Sequence, residues 1–271
     1  MRAMPRILAP FSAVFPAAFS ALAALGMATA PALLRLLHTT PDTIAMAEDY
    51  LVIVLAGVPF LALYNVYSAA LRGLGDSRAP FYAVLVSSAV NVALDLLFVA
   101  VFRWSVAGAA AATVASQAAM ALFLIFYAAR RYPVLRFNFK DKLIARAALA
   151  EGCRLGFPPT VQFSVTSLGN LALQNFMNGF GTQTVAAVTT AYRIDTIILL
   201  PIINLGSAIS TLVAQSRGAG DRERMGRIFS AGAALMAAVS VALTLLVIPT
   251  GSRLIALFGA GGEAVAIGHD F

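Results

Sequence analysis

The 271 residues are 60% hydrophobic and only 11% charged, with 19 Lys and Arg against 12 Asp and Glu for a net charge of +7. A soluble globular chain carries roughly 25% charged residues, so a water-soluble fold of this size has too little polar surface to wrap its apolar atoms. The positive surplus does not point to nucleic acid either, because it sits in short loops between apolar runs.

Crossing a bilayer takes about 20 mostly apolar residues in a helix, since inside lipid each backbone amide must find its partner within the segment. Seven stretches meet that length and predict an all-α membrane protein. The first, Ile7–Leu34, follows Arg2 and Arg6, and its Ala28-Thr29-Ala30 resembles a signal-peptide cleavage site. The run is too long for a signal h-region and Pro31 would hinder cleavage, so it is expected to remain as a membrane anchor. The second, Leu51–Leu71, holds Pro59 and Asn65; the third, Pro80–Phe102, holds Asn91 and Asp95; the fourth, Val106–Ala129, holds Thr113. Residues 131–156 mix basic and apolar side chains and are expected to lie on the inner leaflet as an interfacial helix, a regulatory binding site being the alternative. Three more runs follow, Phe157–Gly179, Thr184–Val213 and Ile228–Ile248, in which Pro158, Pro159 and Pro201 start or kink helices.

Alternate loops carry the charge. Arg2 and Arg6, then Arg72 and Arg78, then the stretch Arg130 to Arg154, then Arg217 to Arg227 hold 15 of the 19 basic residues. The intervening loops hold Arg35, Arg103 and Arg253. This positive-inside bias puts the N-terminus in the cytoplasm of a cytoplasmic (inner) membrane protein. One cysteine, Cys153, excludes a disulfide framework within the chain.

Shifting the sequence by 221 residues lays 1–50 over 222–271 without a gap. Met4, Arg6 and Ile7 fall on Met225, Arg227 and Ile228, and Asp49 on Asp270. Transporters are often built from duplicated bundles, and this shift keeps the orientation in the membrane, as parallel repeats do. Completing both copies requires two helices before Met1 and three after Phe271, so a parent of 12 helices in two bundles of six is expected. Residues 1–130 would then be the last four helices of the first lobe, 131–156 the linker, and 157–271 the first three helices of the second lobe with the start of the next.

Polar groups at membrane depth need a reason. Asp95 stands well inside the third span, and Asn91, four residues earlier, shares its helix face. Asn65 and Thr113 are expected at depths that meet them. A carboxylate, two amides and a hydroxyl are oxygen donors suited to a hard cation such as Na⁺, or to a carboxyl group that holds a proton. Interhelical hydrogen bonding alone, worth about 0.6 kcal/mol on average, explains Asn65 and Thr113 as well; it does not explain a carboxylate where Ser or Asn would pack more cheaply. In the fifth span Gln162, Thr166 and Asn170 follow one stripe, with Gln174, Asn175 and Asn178 beyond them. They line a substrate path or merely pack helices, and both readings stand. Arg193 pairs across the bundle or belongs to the cavity; Asp195, two residues on, does not share its face. No enzyme signature appears: the histidines are His38 and His269 alone, and no Walker loop, G-x-S-x-G elbow or G-x-G-x-x-G is present.

Leu71-Arg72-Gly73-Leu74-Gly75-Asp76-Ser77-Arg78-Ala79-Pro80 resembles the RG-x-GD-x-(K/R)-x-P loop of the multidrug and toxic compound extrusion (MATE) family. Gly156-Phe-Pro158, Asn178-Gly-Phe-Gly181 and Val213-Ala-Gln215-Ser-Arg-Gly218-Ala219-Gly220 resemble that family's second-lobe motifs, with Ala214 and Ser216 departing from the usual Gly and Asn. The resemblance covers essentially the whole chain and implies a 12-helix transporter in two lobes, of which this chain holds helices three to nine and the start of ten. It implies a cation site at Asn65, Asn91, Asp95 and Thr113, the matching positions on helices four to six, which in the family is completed by an Asp on helix one. Gln162 stands where some members carry a Glu. The implied activity is antiport: Na⁺ or H⁺ is the coupling ion, with no other cofactor and no metal beyond Na⁺. Small cationic or amphipathic organic compounds are the substrates, and membrane lipids surround a monomer at full length. Two rivals remain. A lipid-linked precursor flippase of the same superfamily would line its cavity with several basic residues, whereas Arg193 is the lone intramembrane base. A seven-helix receptor would place its N-terminus outside, against the charge bias.

Overall fold

The computed structural model describes residues 4–36, 41–135, 146–177 and 182–257. Seven long helices account for nearly all of them: α1 Met4–Leu36, α2 Pro41–Gly73, α3 Arg78–Asp95, α4 Ser105–Arg131, α5 Arg146–Met177, α6 Thr182–Gly218 and α7 Arg222–Leu257. No strand occurs among the described residues, so the expected all-α class holds. Among the described residues, six helical segments are long and apolar enough to cross a membrane: Val14–Arg35, Thr43–Gly73, Arg78–Val101, Ser105–Arg131, Asp195–Gly218 and Arg222–Thr250. The protein is therefore a multi-pass membrane protein. The difference from the expected seven lies in α5, a helix of 32 residues. Its length suffices; its Gln, Asn, Ser and Thr content lowers the hydropathy below that of its neighbours.

The chain divides into two compact units, Met1–Arg154 and Leu155–Phe271. In the first, α2 packs against α1 and α4, and α3 against α4. Tyr67, Leu71, Ala79, Ala83, Met120, Leu124, Ala128 and Leu135 form its buried cluster, gathered near the α2–α3 turn. Leu135 reaches the cluster from a 3₁₀ turn, Pro133–Leu135, that follows α4. Small side chains let the backbones approach here, as expected where lipid removes the hydrophobic drive between helices. Large apolar side chains such as Phe81, Leu85, Val92, Leu96 and Leu122 point outward instead, the arrangement a lipid solvent favours.

In the second unit α6 packs on α7. Gly232 is the close-approach point: a Cβ there would stand 2.7 Å from both Cδ1 and Cγ1 of Ile209.

The α2–α3 and α6–α7 turns share one design, carried by Arg72-Gly73-Leu74-Gly75-Asp76 and Arg217-Gly218-Ala219-Gly220-Asp221. In the first, Gly75 N–H donates to Arg72 O at 3.0 Å and Asp76 N–H to Leu71 O at 2.9 Å. In the second, Gly220 N–H donates to Arg217 O and Asp221 N–H to Ser216 O, both at 3.0 Å. These are Schellman closures, in which a left-handed residue satisfies the last helical carbonyls; Gly75 has φ +90° and Gly220 φ +76°. The following aspartate then caps the next helix. Asp76 Oδ1 accepts the backbone N–H groups of Arg78 and Ala79, each at 3.2 Å, and Asp221 Oδ1 that of Arg224 at 2.9 Å. The pentapeptide is legible twice in the sequence, a signal that the repeat at 221 residues does not capture.

Many hydroxyls at membrane depth donate to the carbonyl one turn back on their own helix, among them Thr29, Thr113, Thr166, Thr211 and Thr244. Bonds between helices include Ser87 Oγ to Ser116 O at 3.1 Å, which ties α3 to α4. They also include the hydroxyls of Tyr127 and Tyr132, which donate to Asp76 Oδ2 at 2.9 and 3.0 Å.

Candidate functional site

Three helices of the first unit carry the expected cation ligands, and their register decides which can meet. The Ser87–Ser116 bond fixes α3 against α4, which run antiparallel. Asn91 lies four residues beyond Ser87 and Thr113 three residues before Ser116, so at 1.5 Å per residue both stand about 5 Å from that bond in the same direction. Asp95 is about 6 Å further along α3. Asn91, Asp95 and Thr113 therefore occupy one stretch of the α3–α4 seam.

Asn65 stands on the third of these helices, α2. On α2, Gly57 faces α4 at Val114 and Gln117. Asn65 is eight residues nearer the α2–α3 turn, about 12 Å along the axis. Its side chain is exposed, and Nδ2 donates to Leu61 O at 2.8 Å, within its own helix. The helix starts at Pro41, so its middle is displaced toward Gly57.

Asp95 is the last residue of α3 and abuts a π-helical turn, Leu96–Val101, in which Phe102 N–H donates to Leu97 O at 2.9 Å. Such widened turns often mark functional positions in helices. Past it, Arg103 and Ser105 adopt left-handed backbone, φ +56° and +52°, which brings Trp104 back onto Phe98 with ring centroids 5.0 Å apart. Phe102 stacks on the same ring at 6.2 Å. Gly108 makes that fold-back possible, since a Cβ there would stand 3.0 Å from Trp104 Cβ, 3.1 Å from Phe98 Cβ and 3.2 Å from Phe98 C.

Asp95 itself is half-buried, and its Oδ1 is shielded from solvent with no hydrogen-bond partner. A carboxylate oxygen in that state lacks a donor or a cation, and a buried acceptor without either is costly. Thr113 Oγ1 donates to Ala109 O at 2.9 Å and keeps its lone pairs free to accept. Oxygen donors of this kind suit Na⁺ or a proton. No cluster of three or more His, Cys, Asp or Glu able to hold a metal ion occurs among the described residues.

The second unit's described candidates are solvent-exposed. Gln162 and Asn170 are exposed along α5, where Thr166 Oγ1 donates to Gln162 O at 2.9 Å; Arg193 on α6 is exposed as well. The side chains of Gln174 and Asn175, and Asn178 as a whole, lie outside the described residues.

Two polar atoms that the sequence did not single out share the condition of Asp95. Gln117 Oε1, packed so closely on Gly57 that a Cβ there would clash with it, and Ser68 Oγ are both shielded and unpartnered. Gln117 was legible as the residue four after Thr113, hence on its face.

The MatE family model matches residues 11–97 and 158–271. The probable multidrug resistance protein YoeA of Bacillus subtilis is 31% identical over 258 residues, covering 92% of this chain and 55% of YoeA. The multidrug export protein MepA of Staphylococcus saprophyticus is 24% identical over 234 residues, covering 86% of this chain and 51% of its own. The chain spans about half the length of the curated relatives it matches. Among solved structures, an outward-facing multidrug resistance MATE family transporter superposes with a TM-score of 0.85 at 21% identity over 98% of this chain and 63% of the other. A MOP superfamily transporter from Pyrococcus furiosus gives 0.86 at 21%, over 98% and 59%. These structures establish the shared fold.

Proposed function

The chain belongs to the MatE family, and from that membership we propose that the protein exports toxic organic compounds in exchange for Na⁺ or H⁺. The observation that carries the coupling is the shielded, unpartnered Oδ1 of Asp95 on a membrane-spanning helix. An intramembrane carboxylate is retained where it does something, and one lacking a donor is satisfied by a visiting cation or by its own protonation. Asn91 and Thr113, within one helical turn or so of it along the seam, supply the further oxygens. The relatives named as multidrug resistance and export proteins support small organic substrates; an acidic ion site suits cationic or amphipathic ones.

Under this proposal a cation binding at Asp95 favours the conformation that releases substrate outward, since a ligand shifts a two-state equilibrium by its differential affinity for the two states. The lobes then rock about the site. The distribution of Arg and Lys supports an inner-membrane protein with the N-terminus and the R-G-x-G-D turns on the cytoplasmic side.

The test is Asp95→Asn in the protein that carries this chain, with ethidium efflux followed in cells under an imposed Na⁺ or H⁺ gradient. Ion-dependent efflux is expected to be lost while the protein still reaches the membrane. Efflux that keeps both its rate and its ion dependence removes Asp95 from the mechanism.

A further inference from the structure

The two R-G-x-G-D turns diverge at the residue that follows them. After Asp76 comes Ser77; after Asp221 comes Arg222, so the second turn carries a guanidinium on each flank, Arg217 and Arg222. At the first turn the polar groups are spent inside the protein, where Tyr127 and Tyr132 donate to Asp76 Oδ2. At the second a cavity of about 480 Å³ opens, lined by Arg217, Gly220, Arg222 and Met225. That volume falls within the range of small-ligand pockets, roughly 300–1,000 Å³. Gly220 leaves the space unfilled, since even a Cβ there would meet nothing within 4 Å. Asp221 is committed to α7, its Oδ1 accepting the Arg224 N–H at 2.9 Å, and neither it nor Glu223 lines the cavity. Among the described residues no carboxylate pairs with either guanidinium.

The level of the cavity narrows what would fill it. One membrane-spanning segment ends at Gly218 and the next begins at Arg222, so the cavity sits where the chain leaves and re-enters lipid, in the zone of the headgroups. Guanidinium forks match the paired oxygens of a phosphate, and the N-terminal end of α7 adds its dipole to them. Met225 is an apolar, half-buried wall, and Phe229, one turn further along that face and into the span, is 66% exposed. A soluble anion gains nothing from that apolar continuation, whereas a lipid uses both parts. We propose that the α6–α7 turn is a binding site for an anionic phospholipid, its phosphodiester held between Arg217 and Arg222 and its acyl chains running along α7 over Met225 and Phe229. The site is independent of Asp95, which belongs to the other unit.

The measurement is native mass spectrometry of the full chain in dodecyl maltoside micelles, titrated with phosphatidylglycerol and, separately, with phosphatidylcholine. The first phosphatidylglycerol is expected to bind more tightly than phosphatidylcholine. Arg217→Gln with Arg222→Gln is expected to weaken that first binding roughly tenfold, the loss of the charge-assisted contacts. Arg224→Gln with Arg227→Gln removes the same charge outside the cavity and is expected to leave the affinity unchanged. Equal weakening by the two pairs would mean diffuse attraction to a basic surface and overturns the site, as does equal affinity for the two lipids. Inorganic phosphate in large excess is expected not to displace the lipid; complete displacement overturns the lipid assignment in favour of free phosphate. Should the double variant at 217 and 222 fail to fold, Arg222→Gln alone decides, and an affinity equal to the parent's refutes the site.

Discussion

Replacing Asp76 by alanine removes four hydrogen bonds at once. Oδ1 holds the first two amides of α3, and Oδ2 receives Tyr127 from α4 and Tyr132 from the segment after it. A hydrogen bond to a charged group contributes roughly 1.5–3 kcal/mol when buried. Asp76 is half-exposed, so solvent screening reduces each tyrosine bond to about 1 kcal/mol and the cap to about 1 kcal/mol more. Asp76→Ala is therefore expected to destabilise the first unit by about 3 kcal/mol, and Tyr132→Phe by about 1 kcal/mol. The chain's single tryptophan, Trp104, reports unfolding by fluorescence in a titration of mixed micelles with sodium dodecyl sulfate. Burial alone would raise the Asp76 pKa; the amides of Ala79 and Arg78 and the two phenols outweigh it, leaving the carboxyl below the ordinary 3.8. The sign follows: a lowered folded-state pKa adds stability that is fully present above the unfolded value near 3.8 and is lost as pH falls through the lower, folded one. Stability is expected to be flat from pH 7 to 5 with respect to this group, and to fall below about pH 4, a fall that Asp76→Asn abolishes. A loss under about 0.5 kcal/mol for Asp76→Ala would refute the claim that this carboxylate joins three segments.

Gly232→Ala should destabilise the α6–α7 pair by about 1–3 kcal/mol through overpacking against Ile209, and Ile209→Val on the same background should recover part of it; a double-mutant cycle without coupling disproves the contact. Gly108→Ala should push Trp104 off Phe98, seen as a shift of the emission maximum, with a cost of about 1–2 kcal/mol because backbone atoms of Phe98 stand in the way; an unshifted spectrum contradicts the fold-back.

The helices were legible because an apolar run of about 20 residues leaves the backbone little choice. Their ends were not. Asp42, Glu48 and Asp49 close the hydropathic run at Leu51, while the backbone bonds of α2 continue back to Pro41. That ten-residue extension shifts the middle of α2 toward Gly57. Asn91 and Asp95 share a helix face by their spacing of four, and Thr113 stands on the neighbouring antiparallel span. Asp76 looked like part of a turn motif. Its partners are 51 and 56 residues away, and no local pattern announces a contact of that separation. The π turn beyond Asp95 leaves no trace in composition.

The bonds that tie the first unit's helices together at Asp76 lie at one end of long rods, while much of the hydroxyl chemistry elsewhere is spent within single helices. Such a bundle carries its densest polar clamp at its base, with the Ser87–Ser116 bond as a further tie along the rods. A helix of 33 residues is about 50 Å long, so a tilt of about 5° about the clamp sweeps its far end through about 4 Å. That sweep exceeds the diameter of a bare sodium ion, and it separates rods whose contacts there are steric rather than directional.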